Sequence, residues 1–227
     1  MVQKQQHRQD ARKKKVLIVD DHPILRKGLS LLINQESDLV VQGEAEDARK
    51  ALEMIEKLKP DMVIVDISLP GVDGLELLKN IRLRHAELPA LVVSMHDESL
   101  FAERALRAGA RGYIMKQEAV EKVLVAIRRV LAGEIFVSSK IATKMLEKFV
   151  DSDTKTAASP LALLSDRELT VLHMIGQGFG TRQIAEKLHL SVKTVESYRS
   201  HIKEKLRLSN ATDLLKYAIQ WAQSISQ

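Results

Sequence analysis

Three carboxylates, a hydroxyl and an ammonium stand next to short apolar runs: Asp20 and Asp21 follow Val16–Val19, Asp66 follows Met62–Val65, Ser94 follows Leu91–Val93, and Lys116 follows Tyr113–Met115. Carboxylates brought together repel, and a hard divalent cation with oxygen ligands relieves that repulsion. Mg²⁺ suits such a set, because it takes one or two carboxylates and keeps waters for a phosphoryl group. Asp20, Asp21 and Asp66 are therefore candidate metal ligands, with the backbone carbonyl of Ser68 as a further oxygen. A carboxylate can also act as nucleophile toward phosphorus and form an acyl phosphate. Asp66 is the candidate nucleophile, Lys116 would neutralise charge on the transferred group, and Ser94 would hydrogen-bond one of its oxygens. Singly, an aspartate after a strand is commonly a turn or cap residue. Four strand ends carrying such groups together point to a site.

These residues meet only if the runs that precede them lie side by side. Val16–Val19, Leu39–Val41, Met62–Val65, Leu91–Val93 and Tyr113–Met115 are brief and rich in branched residues, which predicts buried strands. Between them helical patterns start near Pro23, Asp47, Gly74, Glu98 and Val120. The (βα)5 alternation predicts an α/β doubly wound parallel sheet, with its ligand crevice at the carboxyl ends of the strands. Helical spacing continues over Ile135–Val150, and Asp151–Pro160 is small and polar, the composition of a linker. From Ser165 only helical patterns remain, over Asp166–Ile175, Thr181–Leu188, Val192–Leu206 and about Asn210–Ala222, which predicts a small all-α four-helix domain. The expected division is a basic, disordered tail over 1–15, a first domain over 16–133, a linker with a helix over 134–160, and a second domain over 161–227.

Within the second domain, Thr181–Leu188, the break at His189-Leu190-Ser191 and then Val192–Leu206 have the spacing of a helix-turn-helix, with Thr181 and Ser191 as candidate N-caps. Val195, Ile202 and Leu206, with Tyr198 at the margin, form one apolar face that matches Ile184, Ala185 and Leu188. The opposite face presents Lys193, Glu196, Ser197, Ser200 and Lys203, with Arg199 to the side, a set able to contact phosphates and base edges. Periodicity alone equally describes a solvated helix of a bundle.

The net charge of +5 is uneven: both ends are basic and the middle is acidic, which points the terminal module toward a polyanion. The absence of cysteine excludes disulfides, thiolate metal sites and thiol catalysis. No apolar stretch approaches the ~20 residues of a membrane span and no signal segment opens the chain, so a cytoplasmic protein is expected. The seven histidines have no metal-ligand spacing; His173, His189 and His201 stand singly, and zinc is not expected.

The segments VLIVDDHPILRKGL, VIVDISLPGVDGLELL, LVVSMHDE and ARGYIMK resemble the receiver domain of two-component response regulators over about residues 15–133. The resemblance implies a flavodoxin-like fold, Asp66 as phosphoacceptor, Asp20 and Asp21 as the acidic pair, Ser94 and Tyr113 as switch residues and Lys116 as the family's lysine. LSDRELTVLHMIGQGFGTRQIAEKLHLSVKTVESYRSHIKEKLRLSNATDLLKYAI resembles the LuxR-type domain of the NarL/FixJ subfamily. By analogy Lys193, Thr194, Tyr198 and Lys205 contact phosphates, and Glu196, Ser197, Arg199 and Ser200 read bases. Gln117 stands where many receivers have proline, and Met95 is larger than the usual residue after the switch serine, which would slow phosphate loss. Glu196 stands where lysine is frequent; it adds no nonspecific affinity but can accept a hydrogen bond from cytosine.

The resemblance further implies that a sensor histidine kinase phosphorylates Asp66, that Ser94 is drawn in and Tyr113 turns inward, and that a receiver covering the recognition helix then frees it. Homodimers would match a repeated double-stranded DNA operator. Catalysis is expected to be at most slow autodephosphorylation. A phosphatase of the haloacid dehalogenase type would carry Asp-x-Asp, whereas position 68 is serine. A transcription factor with a structural, unphosphorylated receiver is the main alternative, ahead of a protein-interaction module that does not bind DNA.

Overall fold

Runs of branched residues too short for a helix but long enough to cross a core pair in parallel when amphipathic helices connect them. The computed structural model describes residues 13–150 and 160–225. The expectations for the tail, apart from Lys13–Lys15, and for the polar stretch 151–159 fall outside the described residues. The order is β1 (Lys14–Val19), α1 (Pro23–Asn34), β2 (Leu39–Ala45), α2 (Ala48–Leu58), β3 (Met62–Val65), α3 (Gly74–Arg84), β4 (Ala90–Ser94), α4 (Glu98–Ala108), β5 (Gly112–Met115), α5 (Ala119–Leu131) and α6 (Ser139–Val150). The sheet runs β2-β1-β3-β4-β5, with every pairing parallel.

The register is what builds a site. Val19 pairs with Val65, and the Asp66 N–H donates to the Val19 carbonyl at 2.8 Å, so Asp20 and Asp66 emerge together from the two central strands. Alternate strand residues bury against opposite layers. Val16, Ile18, Met62 and Ile64 pack with α1 and α5, while Leu17, Val19, Val63 and Val65 pack with α2, α3 and α4. At about 25 cal/mol per Å² of apolar surface removed from water, these two layers dominate the stability of the sheet.

Two elements differ from the sequence reading. β1 begins at Lys14, because Lys15 N–H finds the Asp61 carboxylate at 2.8 Å and Lys14 pairs with Leu39, so the first strand takes in residues assigned to the tail. Helical spacing over Ile135–Val150 becomes a helix only from Ser139. Phe136 instead bridges Gly112 in parallel, accepting from Tyr113 N–H at 2.8 Å and donating to the Arg111 carbonyl at 2.9 Å. The open edge of β5 offers unpaired backbone groups, and satisfying them outweighs helical propensity there.

The C-terminal helices are α7 (Asp166–Gly176), α8 (Thr181–Lys187), α9 (Val192–Lys205) and α10 (Ala211–Ile225). Ser165 and Glu168 close a capping box at the start of α7. Leu172, Ile184, Val195, Ile202, Leu214 and Ala218 are fully buried between the four helices, as the apolar face of α9 anticipates. Ser191 caps α9 by accepting from Thr194 N–H at 3.0 Å. Thr181 does not cap α8: Gly180 holds that position, and its N–H is taken by the Gln183 side chain at 2.9 Å. Gln183 thus satisfies the N-cap N–H, while no side chain caps the first N–H groups of α8.

Gly74 joins this scaffold to the site. A Cβ there would lie 2.0 Å from the Asp66 carbonyl oxygen and 2.8 Å from Ile67 Cα, whereas one on Gly28 would meet nothing within 4 Å. Gly74→Ala is expected to lower stability by about 1–3 kcal/mol through backbone displacement. Gly28→Ala, on the exposed side of α1, should raise it by about 0.5–1 kcal/mol. Urea unfolding of the two variants measures both.

Candidate functional site

At the carboxyl edge of the sheet, Asp20 is 2 % and Asp66 1 % exposed. Such burial penalises ionised carboxylates unless a cation accompanies them. Lys116, delivered by the end of β5, places Nζ 2.8 Å from Asp20 Oδ2 and 2.7 Å from Asp66 Oδ2. Burial, and then the neighbouring Asp66 charge, hold the Asp20 carboxyl above its usual range despite that ammonium. Burial would lower the Lys116 pKa, but the Asp66 and Asp20 charges outweigh it and hold the ammonium above the ordinary lysine value. Asp66 Oδ1 is buried without a hydrogen-bond partner. An orphaned carboxylate oxygen beside two more carboxylates fits a hard cation.

The structure brings Asp20, Asp21, Asp66 and Lys116 together and adds one residue. His22 Nδ1 lies 3.1 Å from Asp20 Oδ1 and 2.6 Å from Asp21 Oδ1. Asp20, Asp21, His22 and Asp66 each offer one ligand atom within 4.8 Å of the others. The sequence reading set the histidines aside for want of ligand spacing; the signal was the direct adjacency of His22 to the acidic pair. Ser68 stands in the β3–α3 loop with its hydroxyl 3.0 Å from His96 Nε2.

Ser94 is fully buried, and its Oγ accepts from His96 N–H at 3.3 Å. Tyr113 is inward, 2 % exposed, with its hydroxyl donating to the His96 carbonyl at 2.8 Å. A buried phenol needs an acceptor, and this carbonyl supplies one; burial raises the Tyr113 pKa. Met95 is 57 % exposed at the rim.

On α9, Lys193, Glu196, Ser197 and Ser200 are exposed, while Thr194, Tyr198, Arg199 and Lys203 are partly buried. The Thr194 hydroxyl is 2.7 Å from that of Ser191, and Tyr198 packs against the core. Lys205, assigned to phosphate, donates to Glu168 Oε2 at 2.7 Å. Burial would raise the Glu168 pKa, but hydrogen bonds from Lys205 and Ser165 hold it below the usual range. Glu196, Arg199, Ser200 and Lys203 border one groove with Ala211 and Leu214.

Contacts between the two halves run along the rim of the acidic crevice. Arg104 on α4 donates to Asp166 at 2.8 Å and to the Leu161 and Leu164 carbonyls. Arg167 on α7 reaches Asp73 at 3.2 Å and the Leu69 carbonyl at 3.0 Å, both in the loop that follows Asp66. His189, in the turn before α9, lies 3.2 Å from Asp21 Oδ2. The first domain grips the start of α7 and this turn, and Lys193, Glu196, Ser197 and Ser200 of α9 are exposed. The Arg104–Asp166 and Arg167–Asp73 ion pairs favour that docking over burial of the polar helix face.

Residues 16–128 match the response regulator receiver domain, and residues 162–218 match the luxR family of bacterial regulatory proteins. The oxygen regulatory protein NreC of Staphylococcus aureus is 38% identical over 210 residues, spanning 91% of this chain and 97% of that protein. The RcsB response regulator of Salmonella typhimurium aligns over 92% of this chain and 98% of its own, with a TM-score of 0.63 and 28% identity. A LuxR-family two-component response regulator from Aurantimonas sp. SI85-9A1 aligns over 61% of this chain and 99% of its own, with a TM-score of 0.57 and 36% identity. The chain belongs to the two-component response regulators that join a receiver to a LuxR-type DNA-binding domain, the NarL/FixJ subfamily. It is a DNA-binding regulator of transcription, by family a transcription factor and not an enzyme. No helix among the described residues is long and apolar enough to cross a membrane.

His96, stacked on Phe101 at 4.5 Å, is pushed down by burial to about 4 from an ordinary 6.5. As pH falls from about 6.5 toward 4, the unfolded chain takes up a proton that the folded protein refuses, so stability is lost across that window. At about 1.4 kcal/mol per pKa unit, the loss is on the order of 3 kcal/mol. Urea unfolding between pH 7 and pH 4 should show this slope in the wild type and a shallower one in His96→Gln.

Proposed function

We propose that Asp66 accepts a phosphoryl group from a sensor histidine kinase and that the modified crevice releases the DNA-binding domain to act, as a homodimer, on a double-stranded operator. The supporting observation is the Lys116 ammonium held on Asp66 Oδ2 at 2.7 Å while Asp66 Oδ1 has no partner. One Asp66 carboxylate oxygen attacks: its bond to phosphorus forms as the bond from phosphorus to the kinase imidazole nitrogen breaks, and the electron pair stays with the imidazole. Lys116 keeps its proton and balances charge on the new group. Asp20, Asp21 and Asp66, with the Ser68 carbonyl, would hold Mg²⁺, which when bound offsets the repulsion between carboxylates and phosphoryl oxygens. Ser94, fully buried beside this crevice, is the hydroxyl to engage the phosphoryl group.

Coupling runs through the rim. Asp21 holds His189, and the loop after Asp66 holds Arg167, so added charge at Asp66 acts directly on two contacts of the DNA-binding domain. Moving the docked state from 1:99 to 99:1 free requires roughly 5.5 kcal/mol, within reach of several such contacts. A solved structure of RcsB is described as two dimers bound to two parallel DNAs, which supports the dimer reading. Lys193 and Lys203 serve phosphates, and Glu196, Ser197, Arg199 and Ser200 serve bases. A DNA target places the protein in the cytoplasm, and Met95 at the rim keeps any autodephosphorylation slow. The second reading is a regulator that acts without phosphorylation, its Tyr113 hydroxyl held on the His96 carbonyl.

Intact mass after incubation with Mg²⁺ and acetyl phosphate separates the two: one phosphoryl group is expected on the wild type and none on Asp66→Asn. An unmodified wild type beside a modified control receiver would favour the phosphorylation-independent reading. On DNA, Lys193→Ala should weaken binding uniformly across sequences and reduce the slope of log K against log salt by about 0.9. Glu196→Ala should instead relax preference at one base pair by about 1–3 kcal/mol, read by competition with substituted operators.

A further inference from the structure

Among its described residues the C-terminal half buries one ionisable side chain, Glu168 on α7, which is 3 % exposed. Its carboxylate is met from α9. Lys205 Nζ stands 2.7 Å from Oε2, which also accepts the Ser165 backbone N–H at 2.7 Å, and His201 Nδ1 lies 3.8 Å from Oε1. Burial alone would raise the Glu168 pKa, but the hydrogen bonds from Lys205 and Ser165 outweigh it and keep the carboxylate ionised. At about 100° per residue, Lys205 lies about 60° around α9 from the buried Ile202, whereas Lys193 and Ser200 lie about 160–180° from it. Lys205 is therefore on the core side of the helix, turned from the face that carries the exposed Lys193 and Ser200. The rest of this core, Leu172, Val195 and Ile202 among it, is apolar, and apolar burial carries no direction. A buried ion pair does, because sliding or rotating α9 would strand a desolvated charge.

We propose that the Glu168–Lys205 pair sets the orientation of α9 against α7, which makes Lys205 a positioning residue for DNA binding and not a contact to the phosphate backbone. The proposal rests on the reading of α9 as the helix that meets DNA. To reach a phosphate, the Lys205 ammonium would have to leave a buried carboxylate unpaired, a loss that the exposed Lys193 does not incur. The same first turn of α7 carries Asp166 and Arg167, held by Arg104 and Asp73 of the first domain. The recognition helix is thus anchored to the turn that the receiver grips.

The test uses the full-length protein and a fluorescent mixed-sequence DNA duplex, whose affinity depends on how Lys193 and Lys203 meet phosphates. Glu168→Gln keeps an acceptor for the Ser165 N–H and removes only the charge. Lys205→Met replaces a side chain that is 39% exposed, so this variant remains informative should Glu168→Gln not fold. Each single variant is expected to bind about tenfold more weakly, and the double variant no more weakly than either, as one shared interaction requires. The chain has no cysteine, so nitroxides on cysteines introduced at the exposed Gln177 and Glu204 read the distance from α7 to α9 by pulsed electron paramagnetic resonance. That distance distribution should shift or broaden in Lys205→Met. Glu168→Gln binding as tightly as the wild type or tighter, beside a weakened Lys205→Met, would make Lys205 a phosphate contact and overturn the proposal. Weaker binding with an unchanged distance distribution would reduce the pair to a stabilising contact and overturn it too. A wild type that does not bind the duplex would sink the reading of α9 as the DNA-contacting helix, and this proposal with it.

Discussion

The ammonium of Lys116 is the group on which the arrangement at the sheet edge depends. Two carboxylates on adjacent strands, each almost wholly removed from water, would drive one another to protonate or force the strands apart. With Nζ within 2.8 Å of both Asp20 and Asp66, the charges are shared and the parallel register of β1 with β3 can be kept to its last pair. The compensation is incomplete: Asp20 still prefers its proton more than an ordinary aspartate does, and Asp66 retains an unsatisfied oxygen. That residual imbalance makes the crevice receptive to a cation. A site that were fully satisfied by its own side chains would gain little by taking one up.

The positions of Asp20, Asp21, Asp66, Ser94 and Lys116 are legible in the sequence because each directly follows an apolar run, and a parallel sheet leaves no choice about which edge those ends share. Core residues of α9 are legible for a similar reason, since Val195 and Ile202 recur at helical spacing. Side-chain direction within the site is less accessible. The inward Tyr113 depends on a carbonyl 17 residues away at His96, and the Lys205 pair with Glu168 spans 37 residues. Neither distance leaves a periodic trace. Phe136 lies in a segment with helical spacing, and only the open edge of β5, a tertiary fact, turns it into a strand partner. His22 was hidden differently: its adjacency to the acidic pair is visible, but a ring beside a carboxylate can also point to solvent.

The Tyr113 hydroxyl is held on the His96 carbonyl, and β5 is clamped on its outer side by Phe136. Its backbone is bonded on both edges, so displacement would break hydrogen bonds on each. The less constrained parts of the crevice are its loops: Gly71, in the loop between Asp66 and α3, adopts a positive φ of 72° and has open space around it.

Those loops are also where the second domain is held. Arg167 takes two carbonyls and Asp73 from the loop after Asp66, and His189 takes Asp21 from the loop after β1, so the docked domain touches the crevice from both of its central strands. Linkage makes the relation reciprocal: whatever free energy crevice loading withdraws from docking, docking withdraws from loading. Asp21 is the clearest case, because the proposed cation ligand and the partner of His189 are the same carboxylate, and its charge cannot be committed fully to both. An exposed recognition face does not make the protein constitutively active on this account. On the proposed reading, its availability to DNA follows from how the turn before α9 is held, and therefore from the charge balance around Asp66.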